Sequence, residues 1–188
     1  MAGIRKVLAI CGSTRSRSTN LNFIEAVANL SKGVFQIELF SGLADLPHFN
    51  PDLDTNTPPA TVANFRKSLT DSEGVLICTP EYAMGPPGTL KNALDWAVSS
   101  CEFNRKPVAL ITAATSGQKA HESLMATLQM IDAVIGEKAQ LLISFAKAKI
   151  NHKAEIVDAA TLHAIEDLIT AFSETIDNRR QEALPVLV

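Results

Sequence analysis

The chain has 188 residues, of which 46% are hydrophobic and 20% are charged. This length and composition predict one globular domain over residues 1–188 and exclude a disordered or fibrous chain. The 17 Lys and Arg residues against 20 Asp and Glu residues give a net charge of -3. That balance argues against nucleic acid or an anionic membrane as the main partner, because both favour a basic surface.

Five short segments have the patterns of β-strands. Three are unbroken apolar runs, at residues 7–11, 75–78 and 108–111. Residues 35–39 alternate between apolar and polar side chains, as an edge strand does, and residues 139–143 are a fifth candidate. Unbroken apolar runs of this length are typical of strands that are buried on both faces of a parallel sheet.

Segments with helical periodicity lie between and after these strands. Apolar side chains share one face in five segments, which follow Asn20, Pro59 and Pro87 or surround Leu124 and Leu162. We expect Asn20 to cap the first helix. The alternation of strands and helices predicts an α/β protein with a three-layer flavodoxin-like fold, in which helices cover both faces of a five-stranded parallel sheet of order 2-1-3-4-5. Ligands of such sheets bind beyond the carboxyl ends of the strands, at the switch point.

Residues 12–20, after the first strand, have the composition of an anion-binding loop. Gly12 allows a sharp turn, five hydroxyl side chains offer donors, and Arg15 and Arg17 add charge with no acidic residue between them. A helix N-terminus favours an anion as well. The spacing matches neither G-x-G-x-x-G nor G-x-x-x-x-G-K-[ST]. A terminal monophosphate, such as that of flavin mononucleotide (FMN), fits better, and a solvated loop is the alternative.

Residues 79–88, after the third strand, contain three prolines and two glycines. The prolines stiffen the loop, and the glycines let backbone approach a flat ring. Three motifs occur in order: Gly12-Ser13-x-Arg15-x-x-Ser18-x-Asn20, Pro80-Glu81-Tyr82 and Pro87-Gly88-x-Leu90-Lys91-Asn92-Ala93-x-Asp95-Trp96. Together they resemble the NAD(P)H-dependent FMN reductase family, the flavodoxin-like quinone and flavin reductases.

The resemblance implies non-covalently bound FMN and two groups of cofactor-binding residues. Around the phosphate it implies Ser13, Arg15, Ser18, Thr19 and Asn20. Along the flavin ring, mainly through backbone, it implies Pro80, Glu81, Tyr82 and Ala83 on one side and Thr115, Ser116 and Gly117 on the other. The family often has Asn where this chain has Ala83, so any contact made by that amide is missing.

The resemblance also implies that the chemistry takes place on the flavin. We therefore expect no catalytic side chain and no metal. NADPH or NADH would deliver electrons and leave, and a small acceptor such as a flavin or quinone would take its place, which is a ping-pong mechanism. The alternatives are a flavodoxin-type electron carrier, which would be more acidic and richer in aromatic residues, and a phosphate-binding regulator without flavin.

Trp96 and Met125 lie off the main apolar stripes of their helices. A helix that is apolar on more than one side buries a second surface. We therefore expect a homodimer or homotetramer through these two helices, as is usual in the family. A broad core within one protomer is the alternative.

The cysteines and the N-terminal segment indicate the cellular compartment. Cys11, Cys78 and Cys101 are widely spaced and odd in number, so they predict neither a disulfide framework nor a CxxC pair. The apolar run before Gly12 is too short for a signal peptide or a membrane span. We expect a cytoplasmic protein.

Overall fold

The computed structural model describes residues 3–183. It contains a five-stranded parallel sheet with the order β2-β1-β3-β4-β5, as predicted. The strands are β1 (Arg5–Cys11), β2 (Phe35–Leu39), β3 (Gly74–Thr79), β4 (Val108–Ala113) and β5 (Gln140–Ile143). Every residue of β3 and β4 is buried, whereas β2 lies at an edge and has exposed residues. The unbroken and alternating sequence patterns therefore mark central and edge strands correctly.

Five α-helices cover the two faces of the sheet. They are α1 (Thr19–Leu30), α2 (Ala60–Asp71), α3 (Gly88–Trp96), α4 (Gln118–Met130) and α5 (Ala159–Glu182). Short 3-10 turns occur at Leu43–Asp45, Pro51–Leu53, Glu137–Ala139 and Ala146–Ala148. Helices α1 and α5 pack in one hydrophobic core, and α2, α3 and α4 pack in another on the opposite face. These three layers confirm the flavodoxin-like fold.

Helix α1 begins two residues earlier than the sequence suggested. Its N-cap is Ser18, which has extended backbone and whose hydroxyl accepts a hydrogen bond from the Asn20 N–H. Asn20 itself lies in the first turn and is buried, and its Oδ1 accepts a hydrogen bond from the Cys78 thiol at 3.4 Å. The prediction that Asn20 caps the helix is wrong, because its side chain is hydrogen-bonded to Cys78 of β3.

Trp96 is completely buried within the protomer. Its indole Nε1 donates a hydrogen bond to the Pro47 carbonyl at 2.8 Å, and its ring meets Phe49 edge to face with centroids 5.0 Å apart. An indole enclosed in this way cannot reach a second subunit, so the expected interface anchor is wrong and the broad core is correct. Met125 is partly buried against the same core, whereas Met130 is 68% exposed.

No helix among residues 3–183 has the length and apolar character that a membrane crossing requires.

Replacing Trp96 with Ala should lower the free energy of unfolding by about 3–5 kcal/mol, because a fully buried aromatic side chain leaves a cavity. Urea denaturation measures this loss, and sedimentation should show no change in subunit mass. Met130→Ala, an exposed control on α4, should change stability by less than about 0.5 kcal/mol. A Trp96→Ala protein that is equally stable but smaller in mass would restore the interface reading.

Candidate active site

A cavity of about 370 Å³ opens at the carboxyl ends of the strands. Its walls come from the connections after β1, β3, β4 and β5, so it lies at the switch point between β1 and β3 and extends towards β5. Its lining residues are Ser13, Arg15, Ser18, Thr19, Asn20, Pro80, Glu81, Tyr82, Ala113, Ala114, Thr115, Phe145, Ala146, Lys147 and Ala148.

Nine of the twelve residues that the resemblance implied line this cavity together. Ala83 and Ser116 are adjacent in sequence to lining residues and Gly117 is two positions from Thr115, but these three residues do not line the cavity. The sequence reasoning missed residues 113–114 and 145–148. Residues 145–148 carry no recognised motif, and the only available signal was their position at the carboxyl end of a predicted strand.

The turn after β1 requires glycine because it packs directly against β3. A Cβ atom at Gly12 would lie 2.3 Å from Thr79 Oγ1 and 2.8 Å from Thr79 Cβ. The Gly12 N–H donates a hydrogen bond to the Cys78 carbonyl at 2.8 Å, which continues the β1–β3 pairing beyond the strand. This close approach brings the loop after β1 and the loop after β3 to the same point.

One end of the cavity, which we call the phosphate end because its donor groups suit an anion, is formed by the loop after β1 and the N-terminus of α1. Ser13, Ser18 and Asn20 are buried there, and Arg15 and Arg17 are exposed. Neither arginine forms an ion pair with any residue between 3 and 183. Free cationic groups, hydroxyls and backbone N–H groups at a helix N-terminus are the donors that bind a phosphate. These residues therefore fit the terminal phosphate of FMN.

The carboxylate of Glu81 caps helix α4 from the neighbouring loop. Its Oε1 accepts from the Gly117 N–H at 3.3 Å, and its Oε2 accepts from the Ala120 N–H at 3.0 Å. Gly117 has a φ of +93° and no side chain, so α4 cannot cap itself. Because both oxygens are bonded to α4, the loop after β3 is fixed to the loop after β4. The carboxylate charge is also offset by the helix N-terminus.

A tight turn follows Glu81 at the mouth of the cavity. Tyr82 and Gly85 exchange two backbone hydrogen bonds of 2.9 and 3.0 Å. Between them Ala83 and Met84 have φ values of +48° and +62°, in the left-handed region. Positive φ at both central residues is the type I′ geometry, which Asn and Gly adopt more easily than Ala or Met. Ala83 thus lies in a strained turn and not in the cavity wall.

The connection after β5 is tied to the connection after β4. The Phe145 N–H donates to the Thr115 carbonyl at 3.1 Å, and the Ser144 hydroxyl donates to the Ser116 carbonyl at 3.0 Å. The Ala146 N–H also donates to the Ala114 carbonyl at 3.0 Å. These bonds hold the β5 side of the cavity in one arrangement with the β4 side.

Among residues 3–183, no activated thiol and no metal site lies near this cavity. Burial raises the pKa of the Cys11 and Cys78 thiols, so neither is a thiolate at neutral pH. No group of three or more His, Cys, Asp or Glu residues converges on a metal position in the described chain. His163 and Glu166 are an exposed pair 3.8 Å apart on α5.

Comparison with known proteins agrees with this geometry. Residues 5–148 match the family described as NADPH-dependent FMN reductase. The chain is 31% identical to an NAD(P)H-dependent FMN reductase of Pseudomonas aeruginosa (88% of this chain, 92% of the relative). It is 29% identical to a 2-hydroxy-1,4-benzoquinone reductase of a Burkholderia species (93% and 98%). The solved structure of FerB, an NAD(P)H:(acceptor) oxidoreductase of Paracoccus denitrificans, has a TM-score of 0.81 and 26% identity (93% and 98%).

The fold, the phosphate end of the cavity and these matches define a flavin-dependent oxidoreductase. The chain belongs to the NADPH-dependent FMN reductase family, which confirms the resemblance seen in its motifs. FMN and NAD(P)H are accordingly its cofactor and electron donor. An enzyme is therefore favoured over a carrier without turnover of its own.

Replacing Glu81 with Ala should lower the free energy of unfolding by about 1–2 kcal/mol, because two N–H groups of α4 lose their acceptor. Thermal denaturation measures this. Glu81→Gln retains one acceptor oxygen and should lose less. Glu122→Ala removes an exposed carboxylate from the same helix and should have little effect. Unchanged stability of Glu81→Ala would contradict the capping role.

Proposed function

We propose that this enzyme transfers electrons from NADPH or NADH, through bound FMN, to a small acceptor such as a quinone or a free flavin. The two substrates would occupy the same place in turn. The observation that carries this proposal is one cavity whose lining includes phosphate donors in the loop after β1 and exposed aromatic side chains in the loops after β3 and β5. Tyr82 is 48% exposed and Phe145 69% exposed, so this part of the cavity is open to a flat molecule.

In this proposal the phosphate of FMN binds in the loop after β1. The five residues involved are Ser13, Arg15, Ser18, Thr19 and Asn20. The supporting observations are that all five line one cavity and that α1 begins among them. The flavin ring would lie along the backbone of residues 80–82 and be bounded by Thr115. Ala83, Ser116 and Gly117 would act indirectly, by shaping the turns that hold these walls.

Bound FMN supplies the redox chemistry of the reaction. The residues of the chain then have three tasks, which are to hold the phosphate, to fix the two ring loops and to leave one side of the cavity open. Gly12 and Glu81 serve the second task, because each ties two loops together. No side chain needs to act as an acid or a base. The absence of an activated thiol at Cys11 and Cys78 is consistent with this division.

We also propose a cytoplasmic homo-oligomer. Free thiols at Cys11, Cys78 and Cys101 are what a reducing compartment favours. Because Trp96 is enclosed, a subunit contact would use exposed apolar side chains such as Met130 and Val134 at the end of α4. The small acceptor would be the main partner besides the dinucleotide.

Replacing Arg15 with Ala should weaken FMN binding about tenfold to a hundredfold, because a charge-assisted hydrogen bond to the phosphate is lost. Fluorescence titration of the apoprotein measures the Kd. Riboflavin lacks the phosphate, so its Kd should barely change. Arg17→Ala is the matched control, since Arg17 lies in the same loop but does not line the cavity. Equal losses for FMN and riboflavin would show that Arg15 does not contact the phosphate.

Under anaerobic conditions, NADPH or NADH should bleach the flavin absorbance of the holoenzyme, and a quinone should then restore that absorbance in a separate step. One place that serves two substrates in turn gives parallel lines in a double-reciprocal plot of steady-state rates. Holoenzyme that neither dinucleotide bleaches within minutes would favour the electron-carrier alternative. Bleaching together with intersecting lines would support the activity but contradict a binding site that both substrates share.

A further inference from the structure

Phe145 has a backbone conformation that its side chain disfavours. Its φ of +53° lies in the left-handed region, where a bulky residue is an outlier. The ring gains little from the fold in return, because the residue is 69% exposed. Glycine or asparagine would suit this backbone better. Stability therefore does not account for an aromatic side chain at this position.

The structure fixes this unfavourable conformation at the cavity wall. The hydrogen bonds from Phe145 and Ala146 to the loop after β4 hold the backbone on both sides of the strained residue. The ring lines the cavity while most of its surface is exposed to solvent. An aromatic side chain in this position is available to pack against a flat ring that enters the cavity.

Lys147 adds a positive charge two residues further along the same wall. It lines the cavity, is exposed, and forms no ion pair with any other residue in the range 3–183. Its wall follows β5, which β3 and β4 separate from β1 in the sheet. The phosphate of FMN already has Arg15, hydroxyls and a helix N-terminus on the β1 side. Lys147 is therefore free to bind a phosphate group of a second ligand.

We propose that Phe145 and Lys147 bind the nicotinamide dinucleotide, with the phenyl ring packing against its nicotinamide ring and the ammonium group binding one of its phosphates. This proposal rests on the proposed function and names the residues that select its electron donor. A quinone has a flat ring but no phosphate. Phe145 would then serve both substrates, whereas Lys147 would serve the donor alone.

The test uses FMN-loaded protein and four variants, Phe145→Gly, Phe145→Tyr, Lys147→Gln and Lys153→Gln. Lys153 is the matched control, because it is an exposed lysine of the same β5–α5 connection that does not line the cavity. Oxidised NADP⁺ and NAD⁺ bind without electron transfer, and their Kd values are read from the change they cause in flavin absorbance. The Kd of FMN, the Tm and the rate of anaerobic reoxidation by benzoquinone complete the set.

Phe145→Gly should weaken the binding of NADP⁺ and NAD⁺ about twofold to tenfold and slow reoxidation of the flavin by benzoquinone. Both flat rings lose a packing surface in this variant. Its Tm should not fall, since glycine adopts this φ freely and the lost ring is mostly exposed. Phe145→Tyr should restore binding. An unchanged dinucleotide Kd in Phe145→Gly, whether or not its Tm falls, would overturn the role of the ring.

Lys147→Gln should weaken dinucleotide binding about threefold to tenfold and leave the rate of reoxidation by benzoquinone unchanged. A loss confined to NADP⁺ would assign Lys147 to the 2′-phosphate, and equal losses for NADP⁺ and NAD⁺ would assign it to the diphosphate. Weaker FMN binding with unchanged dinucleotide Kd would overturn the proposal, as would an equal loss in Lys153→Gln. Failure of the proposed function is distinct, because wild-type holoenzyme would then not be bleached at all.

Discussion

The pairing of β1 with β3 determines where the site lies. Cys11 stands opposite Cys78 in this pair, and the next backbone hydrogen bond, from Gly12 to Cys78, carries the contact into the loops. Connections leave this pair in opposite directions, with β2 on one side and β4 on the other, so a crevice forms between the loops after β1 and β3. A Cβ atom at Gly12 would overlap the Thr79 side chain, so a larger residue there would force these loops to shift. The phosphate end and the ring end of the cavity are therefore neighbours as a result of strand order.

Glu81 is a charged residue of the cavity lining whose negative charge is compensated within the protein. An unpaired carboxylate would repel a phosphate and an electron-rich ring. Both oxygens of Glu81 instead accept hydrogen bonds from N–H groups at the start of α4, where the helix dipole is positive. The residue consequently shapes the site through its side chain and can offer its backbone to the ligand. Its role could not be read from the Pro-Glu-Tyr motif, since α4 begins more than thirty residues later.

The sequence predicted the features that depend on local pattern. Strand order and helix count followed from apolar runs and helical periodicity, and the composition of residues 12–20 indicated a loop that lines the cavity. Trp96 was misread because a helical wheel shows only which side of α3 is apolar, and the partner that encloses the indole is a distant segment at residues 47–49. Asn20 and Ser18 are both good N-caps, and the choice between them depends on the contact of Asn20 with Cys78. The contribution of residues 145–148 was missed because no sequence pattern predicts a left-handed backbone at a phenylalanine.

The residues with strained backbone at the cavity mouth are distinct from the residues that stabilise the fold. Left-handed backbone at residues other than glycine occurs at Ala83, Met84 and Phe145, all in the loops around the cavity mouth, as well as at four positions elsewhere. Each such residue costs on the order of 1 kcal/mol. The fully buried strands β3 and β4 and the two cores on their faces stabilise the fold independently of these loops. Because the strained residues at the mouth are largely exposed, changes there alter few packed contacts. The mouth is consequently the part of the cavity wall where side chains can change with the least loss of packing.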